Sequence, residues 1–290
     1  MNRYSLYLLF LLFLFSSHLL NAQENQKGIL WQIDKPGVSP SYLLGTIHSD
    51  DPRVIHLPPL IEKCFTQAKS VTIEMEINMT NVIKSLLKMY LDSEHTLDKL
   101  ISQQEYEMLV NLLREYGVPE EASKRLKPLA TMIILSKPQS QGDEFLDFLL
   151  YHRAKEMKKP VYGLETAEEQ LALLDVLSIP EQAILLKESL QDIGKLPTIF
   201  EKLHELYLQR DLSALLSLSE EYMKSEKNEA LVEKFRKALI DDRNIRMVNR
   251  MQTRLKEGNA FIAVGALHLP GKEGILNLLE IQGYQIVSLY

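Results

Sequence analysis

The apolar positions of this chain follow two periods. Short runs of four to six apolar or β-branched residues cluster near both ends. Long stretches with helical spacing fill the middle. Ile29-Leu30-Trp31-Gln32-Ile33 reads as a strand closed by Pro36-Gly37, and Tyr42-Leu43-Leu44 as a second that forms a hairpin with it. A helix is predicted from Leu57-Pro58-Pro59, because proline suits a first helical turn. Val71 to Glu76 alternates and is β-branched, so it reads as the next strand. The pattern is helical from about Thr80 to Ser136, with breaks near Gly117-Val118-Pro119 and Pro128, and again from Asp143 to Met157. Val161-Tyr162-Gly163-Leu164 is a short strand. A helical stretch then runs from Thr166 to about Glu257, punctuated by Pro180, Gly194 and Pro197. Phe261 to Val264 is a strand, Glu273 to Ile281 a helix and Tyr284 to Leu289 a last strand.

Strands at both ends with helices between them predict an α/β fold. The expectation from this pattern is an α/β sheet with a large helical insertion. No linker rich in Gly, Ser or Pro divides the chain, so residues 23–290 read as one domain with helical insertions at about 80–157 and 166–257.

Two strand ends repeat one motif. Gly45-Thr46-Ile47-His48 and Gly265-Ala266-Leu267-His268 each follow an apolar strand and precede a proline and a helix. Ligands of open α/β sheets gather beyond the carboxyl ends of strands, and neutral imidazole is a common ligand of divalent transition metals. The echo predicts that His48 and His268 meet, with Gly45 and Gly265 admitting close approach of the backbone. The bland alternative is two structural histidines that satisfy buried backbone groups. Carboxylates stand at equivalent places. Glu74 and Glu76 end the third strand, and Glu165 follows the fourth. Two His with one or two Glu would suit Zn, Mn or Co and a water for attack, or a Glu could serve as general base. Against this, Glu76 also reads as a solvated strand end, and Glu165 as a carboxylate favoured by a helix N-terminus. Asp147 and Tyr151 share a helix face, and Arg243, Arg246 and Arg250 form a stripe of the kind that is ordinarily solvated. His56, His95, His152 and His204 read as ordinary loop or polar-face residues.

Composition narrows the classes. The chain has 290 residues, a net charge of −6 and no basic stripe with interleaved aromatics, which argues against nucleic acid. Residues 1–22 carry one charge, Arg3, then an apolar run from Tyr4 to Phe15 and a small residue, Ala22. That is the layout of a secretory signal cleaved after Ala22. The run is short for a membrane span, so membrane association is expected only if this segment stays uncleaved. The mature protein is then periplasmic or secreted. Cys64 is the only cysteine, so no internal disulfide can form, and its apolar surroundings predict a buried, inert thiol. No His-Glu-x-x-His or Gly-x-Ser-x-Gly is present, and Gly265 to Lys272 departs from a phosphate loop in spacing and in Glu273.

The ordered set Leu44-Gly45-Thr46-Ile47-His48, Glu74, Gly163-Leu164-Glu165-Thr166 with Gln170, Arg243-Asn244, and Val264 to Gly271 with Gly274 resembles the TraB/GumN family. That family is related to the Tiki metalloproteases, and the resemblance runs from about Ile29 to Tyr290. It implies a mixed β-sheet flanked by helices, similar to the ChaN-like and erythromycin-esterase-like folds. It also implies an Mn- or Co-dependent protease in which both Gly-x-x-His histidines and a glutamate, Glu74 or Glu165, are essential. Asp147 matches a Gly-x-Asp element of the family, with Phe145 in place of the glycine. The expected function is an exported metal-dependent hydrolase acting on a peptide or protein. His48, His268 and Glu165 are the expected metal set, Glu74 and Glu165 the catalytic carboxylates, and Arg243 the stabiliser of a carboxylate or oxyanion. The alternative is a non-catalytic periplasmic protein that binds a ligand, a haem or a peptide.

Overall fold

The apolar runs become the six strands of one mixed sheet in the computed structural model, which describes residues 26–76, 79–92, 94–136, 144–225 and 227–290. The secretory signal read in residues 1–22 and the predicted helix start at Asp143 lie outside the described residues. The strands are β1 (Leu30–Asp34), β2 (Ser41–Thr46), β3 (Ser70–Met75), β4 (Val161–Glu165), β5 (Ala260–Gly265) and β6 (Gln285–Ser288). Their order across the sheet is β4-β3-β5-β2-β1-β6. β1 and β2 form the expected antiparallel hairpin, and β6 adds antiparallel to β1. β2, β5, β3 and β4 run parallel. A parallel strand covered on both faces should read as a continuous apolar run. β5 does so: Ala260 to Val264 are all buried.

This order brings the two Gly-x-x-His elements side by side. β2 and β5 are neighbours, with Gly45 opposite Val264 and Thr46 opposite Gly265. β3 lies on the other side of β5, and β4 beyond it, with Met75 opposite Glu165. The carboxyl ends of four parallel strands therefore share one edge of the sheet, and Thr46, Glu74, Glu165 and Gly265 all stand there.

The helical middle divides into separate elements. Pro180 and Pro197 fall in first turns, as proline's missing N–H requires, and begin the helices Ile179–Gln191 and Leu196–Leu208. Ser178 and Glu181 form a capping box on the first of these, and Thr166 and Glu169 form another directly after β4. Two apolar clusters result. One gathers Leu43, Phe65, Phe261 and Leu279 around the sheet. The other joins Leu109, Leu113 and Leu129 with Leu186 and Leu190, so helices from both inserted stretches complete a single helical core. The helix Asp242–Glu257 packs against β4 and β5 instead, burying Met247, Val248, Met251 and Leu255. Cys64 is buried, as expected.

Candidate functional site

A cavity of about 280 Å³ opens at the shared strand ends, and Thr46, His48, Glu74, Arg243, Gly265 and His268 all line it. The two histidines thus converge, each set there by the turn that follows its strand. The glycines serve close packing rather than unusual dihedrals. A Cβ on Gly45 would lie 3.1 Å from the Cα of Ala266, inside the other Gly-x-x-His element, and one on Gly265 would lie 3.2 Å from Glu74 Oε1.

Each imidazole is held at Nδ1. His48 Nδ1 lies 2.9 Å from Asp147 Oδ2, while Asp147 Oδ1 accepts from the Thr46 hydroxyl at 2.6 Å. Asp147 sits in the first turn of the helix Leu146–Glu156, whose capping residue Phe145 has φ −60° and ψ 150°. Any residue adopts those angles, so the missing glycine costs nothing there. His268 Nδ1 lies 2.7 Å from Asn244 Oδ1. Asn244 is fully buried, and its Nδ2 donates to Glu273 O at 2.7 Å. Its oxygen must therefore face His268, which makes His268 Nδ1 the donor and leaves the lone pair on Nε2.

That lone pair faces a carboxylate. His268 Nε2 stands 3.8 Å from Glu74 Oε1. Glu74 Oε1 accepts from the Gly265 amide at 2.7 Å, and its Oε2 from Arg243 Nη2 at 2.5 Å. Burial works against the charge of Glu74, but His268, Arg243 and the Gly265 amide outweigh it and bring its pKa to about 2. Burial pushes His268 the other way for a base, down to about 4 despite the pull of Glu74. Two electron-rich atoms thus oppose each other across 3.8 Å. One divalent ion with bonds of about 2.0–2.2 Å to N and O ligands would span that gap. The donor set fits a transition metal, and the carboxamide behind His268 and the carboxylate behind His48 are the outer partners that such ligands ordinarily have. Among the described residues, no three His, Cys, Asp or Glu side chains are gathered tightly enough to form a cage.

The other predicted residues are placed differently. Glu165 is buried, with both oxygens engaged. Arg243 Nε and Nη2 donate to Oε2 at 2.9 and 2.7 Å, and Arg246 Nη1 donates to Oε1 at 2.7 Å. It does not line the cavity that His48, His268 and Glu74 share. Gln170 Nε2 donates to Glu165 Oε2 at 3.3 Å and reaches Glu74 Oε2 at 3.5 Å. The arginine stripe is not a solvated face at its start. Arg243 is buried between two carboxylates, which hold its charge more firmly against the cost of burial. It follows a π-helical turn, Lys237–Asp241, a local geometry common at functional sites. Arg250 is exposed but bridges Glu169 and the carbonyl of Leu164, fastening the helix to the end of β4. Glu76 points elsewhere, to Lys155 at 3.7 Å. His204, read as ordinary, is buried and lines the cavity. The role of Asn244 was not legible from its residue type. The signal was its place beside Arg243, one turn before a buried apolar face.

The family model described as TraB/PrgY/gumN matches residues 29–288. The chain is 25% identical over 316 residues to the metalloprotease TIKI1 of Danio rerio, covering 91% of this chain and 63% of that protein. It is 26% identical over 317 residues to the metalloprotease TIKI2 of Xenopus tropicalis, covering 91% and 60%. The uncharacterized protein YbaP of Escherichia coli is 24% identical over 254 residues, covering 86% of this chain and 90% of that one. The chain spans about three-fifths of the length of these two TIKI proteins. No solved structure matches it.

Proposed function

This chain belongs to the TraB/PrgY/gumN family, and from that premise we propose that it is a metal-dependent peptidase, exported through the signal read in its first 22 residues. The opposition of His268 Nε2 and Glu74 Oε1 across 3.8 Å carries the reading. His268 and Glu74, with His48 from the neighbouring strand, are the residues that would hold a divalent ion, Mn, Co or Zn. The names of the TIKI relatives support a metalloprotease chemistry for the family.

When bound, the ion supplies Lewis-acid polarisation of a peptide carbonyl. The protein's own groups do the rest. Asn244 and Asp147 fix the two imidazoles. Arg243 brings a positive charge to the cavity wall, suited to a substrate carboxylate or a developing oxyanion. Glu165 positions Arg243 and takes no part in ligation, because both its oxygens already accept from guanidinium groups. Hydrolysis adds water across the C–N bond, with hydroxyl going to the carbonyl carbon and a proton to the leaving amine.

The test is to purify the mature protein, titrate it with Mn, Co and Zn by calorimetry, and incubate it with a mixed peptide library read by mass spectrometry. Metal uptake and cleavage that both vanish in His268→Ala and Glu74→Gln support the reading. A protein that takes up none of the three metals and behaves identically after these substitutions overturns it. A second reading, a binding protein without turnover, draws on the absence of a preformed three-residue cage among the described residues. It predicts a tightly retained ligand and no products.

A further inference from the structure

The cavity has a second half that the metal chemistry does not use. The helix Leu196–Leu208 presents Phe200, Leu203, His204 and Tyr207 to it, the i, i+3, i+4, i+7 pattern of one helix face. The Tyr207 hydroxyl donates to the Gly45 carbonyl at 2.9 Å, so Tyr207 lends the cavity its ring rather than a polar group. Ile47 and Leu267 each immediately precede a histidine of the Gly-x-x-His elements, and Leu239 and Ile240 come just before Arg243. Each reacting element therefore carries its own apolar neighbour into the same space.

We infer that this apolar half is the subsite for one large apolar side chain of the substrate, so that the peptide cut here carries Leu, Met, Phe or a similar residue beside the scissile bond. The inference rests on the peptidase reading for its substrate, but not for its occupant. Ile47, Phe200, Leu203, Leu239, Ile240 and Leu267 are all only partly buried in this structure. An apolar side chain seated among them removes their remaining surface from water, which is the driving force for filling such a site. Size sets the occupant. At about 280 Å³ the cavity lies just under the ~300–1,000 Å³ typical of pockets for whole drug-sized ligands. It suits one side chain with the adjoining backbone. A charged side chain would give up its water against walls that are mostly hydrocarbon, with His204 and Ser136 the polar residues beside them. The ionic groups of the cavity, Glu74 and Arg243, stand with His268 and serve the reacting centre rather than this half.

Two readouts test this, and they fail separately. With the Mn-, Co- or Zn-loaded protein, a proteome-derived peptide library should show Leu, Met, Phe, Ile or Val enriched at one position beside the cut. The preference over Asp, Lys and Gly should be about tenfold or more. Leu203→Trp, which fills the space, should lower kcat/KM for such peptides about tenfold while metal uptake stays the same. If that variant misfolds, Leu203→Ala should shift the preference toward larger side chains. Independently of turnover, saturation-transfer NMR should detect N-acetyl-leucinamide and not N-acetyl-lysinamide, with the signal lost in Leu203→Trp. Selective binding of the leucine probe by a protein that cuts nothing upholds the subsite and overturns the peptidase reading. Cleavage indifferent to the neighbouring side chain, or equal signals from both probes, overturns the subsite.

Discussion

Asn244 decides which nitrogen of His268 faces Glu74. Its Oδ1 accepts from His268 Nδ1 at 2.7 Å, because its Nδ2 is already committed to Glu273 O at 2.7 Å. Truncation in Asn244→Ala removes the acceptor, frees the imidazole to change tautomer and leaves the Glu273 carbonyl without this donor. Outer partners of metal ligands are worth about 10–100-fold in affinity or activity. Asn244→Ala should therefore weaken Mn or Zn uptake by that factor. The His268 ring nitrogens in a ¹⁵N NMR spectrum of the metal-free variant should show mixed tautomers, where the parent shows one. Unchanged affinity with a single tautomer would assign Asn244 a purely packing role.

The same buried imidazole makes the metal-free protein acid-sensitive. Burial lowers the His268 pKa from its ordinary 6.5 to about 4. Between those values the unfolded chain binds the proton and the folded one does not, so stability rises with pH across that window. It is fully present above about pH 6.5 and declines toward pH 4. The loss reaches up to about 3 kcal/mol, since each pH step of one across the window is worth ~1.36 kcal/mol. Urea unfolding from pH 7 down to pH 4 checks this. His268→Asn should be less damaging at pH 4 than at pH 7. An equal penalty at both values would show that His268 does not set the slope.

The sequence reading put Glu165 in the metal set and both Glu74 and Glu165 among the catalytic carboxylates, whereas of the two only Glu74 lines the cavity. Removing one partner of a buried ion pair costs about 3–5 kcal/mol because a charge is left uncompensated. Glu165 faces Arg243 and Arg246. Glu165→Gln should lower folding stability by about that amount in chemical denaturation and leave metal affinity within a few-fold. Glu74→Gln should reduce metal affinity by more than the roughly 10–100-fold expected of an outer partner. The reverse assignment of the two phenotypes would make Glu165 the ligand.

What the chain order reveals follows from physics that acts locally. The strands and the hairpin were legible because apolar runs and proline punctuation report secondary structure directly. The meeting of His48 and His268 was legible because two matching strand ends predict neighbouring strands. The burial of Arg243 was not, since a stripe of arginines looks solvated until its first member reaches Glu74 and Glu165 at the ends of β3 and β4. Nor was the separate placing of Glu74 and Glu165, which depends on guanidinium groups many residues away in sequence. The cavity role of His204 was hidden for the same reason, because only packing decides which helix face is covered. The two inserted stretches also share one helical core, a long-range pairing that no local period encodes.

Gly45 offers a test of whether the two Gly-x-x-His elements act as one unit. Its backbone has no positive φ, so conformational freedom is not what the position requires. The constraint is steric. A methyl group at Gly45 would meet Leu269 Cδ1 at 2.8 Å, Ala266 Cα at 3.1 Å and Ala266 Cβ at 3.2 Å. Leu269 is fully buried and Ala266 belongs to the turn that carries His268, so neither can yield without moving the second element. Overpacking of this kind costs about 1–3 kcal/mol. Gly45→Ala should lower the unfolding midpoint accordingly and also weaken metal uptake, although residue 45 touches no ligand atom. Gly194→Ala is the control, because a Cβ there meets nothing within 4 Å, and it should stay within about 0.5 kcal/mol of the parent. If Gly45→Ala destabilises the protein while metal uptake remains that of the parent, the elements are neighbours without being coupled. If both fall together, the packing of Gly45 on Ala266 is what holds His268 against Glu74.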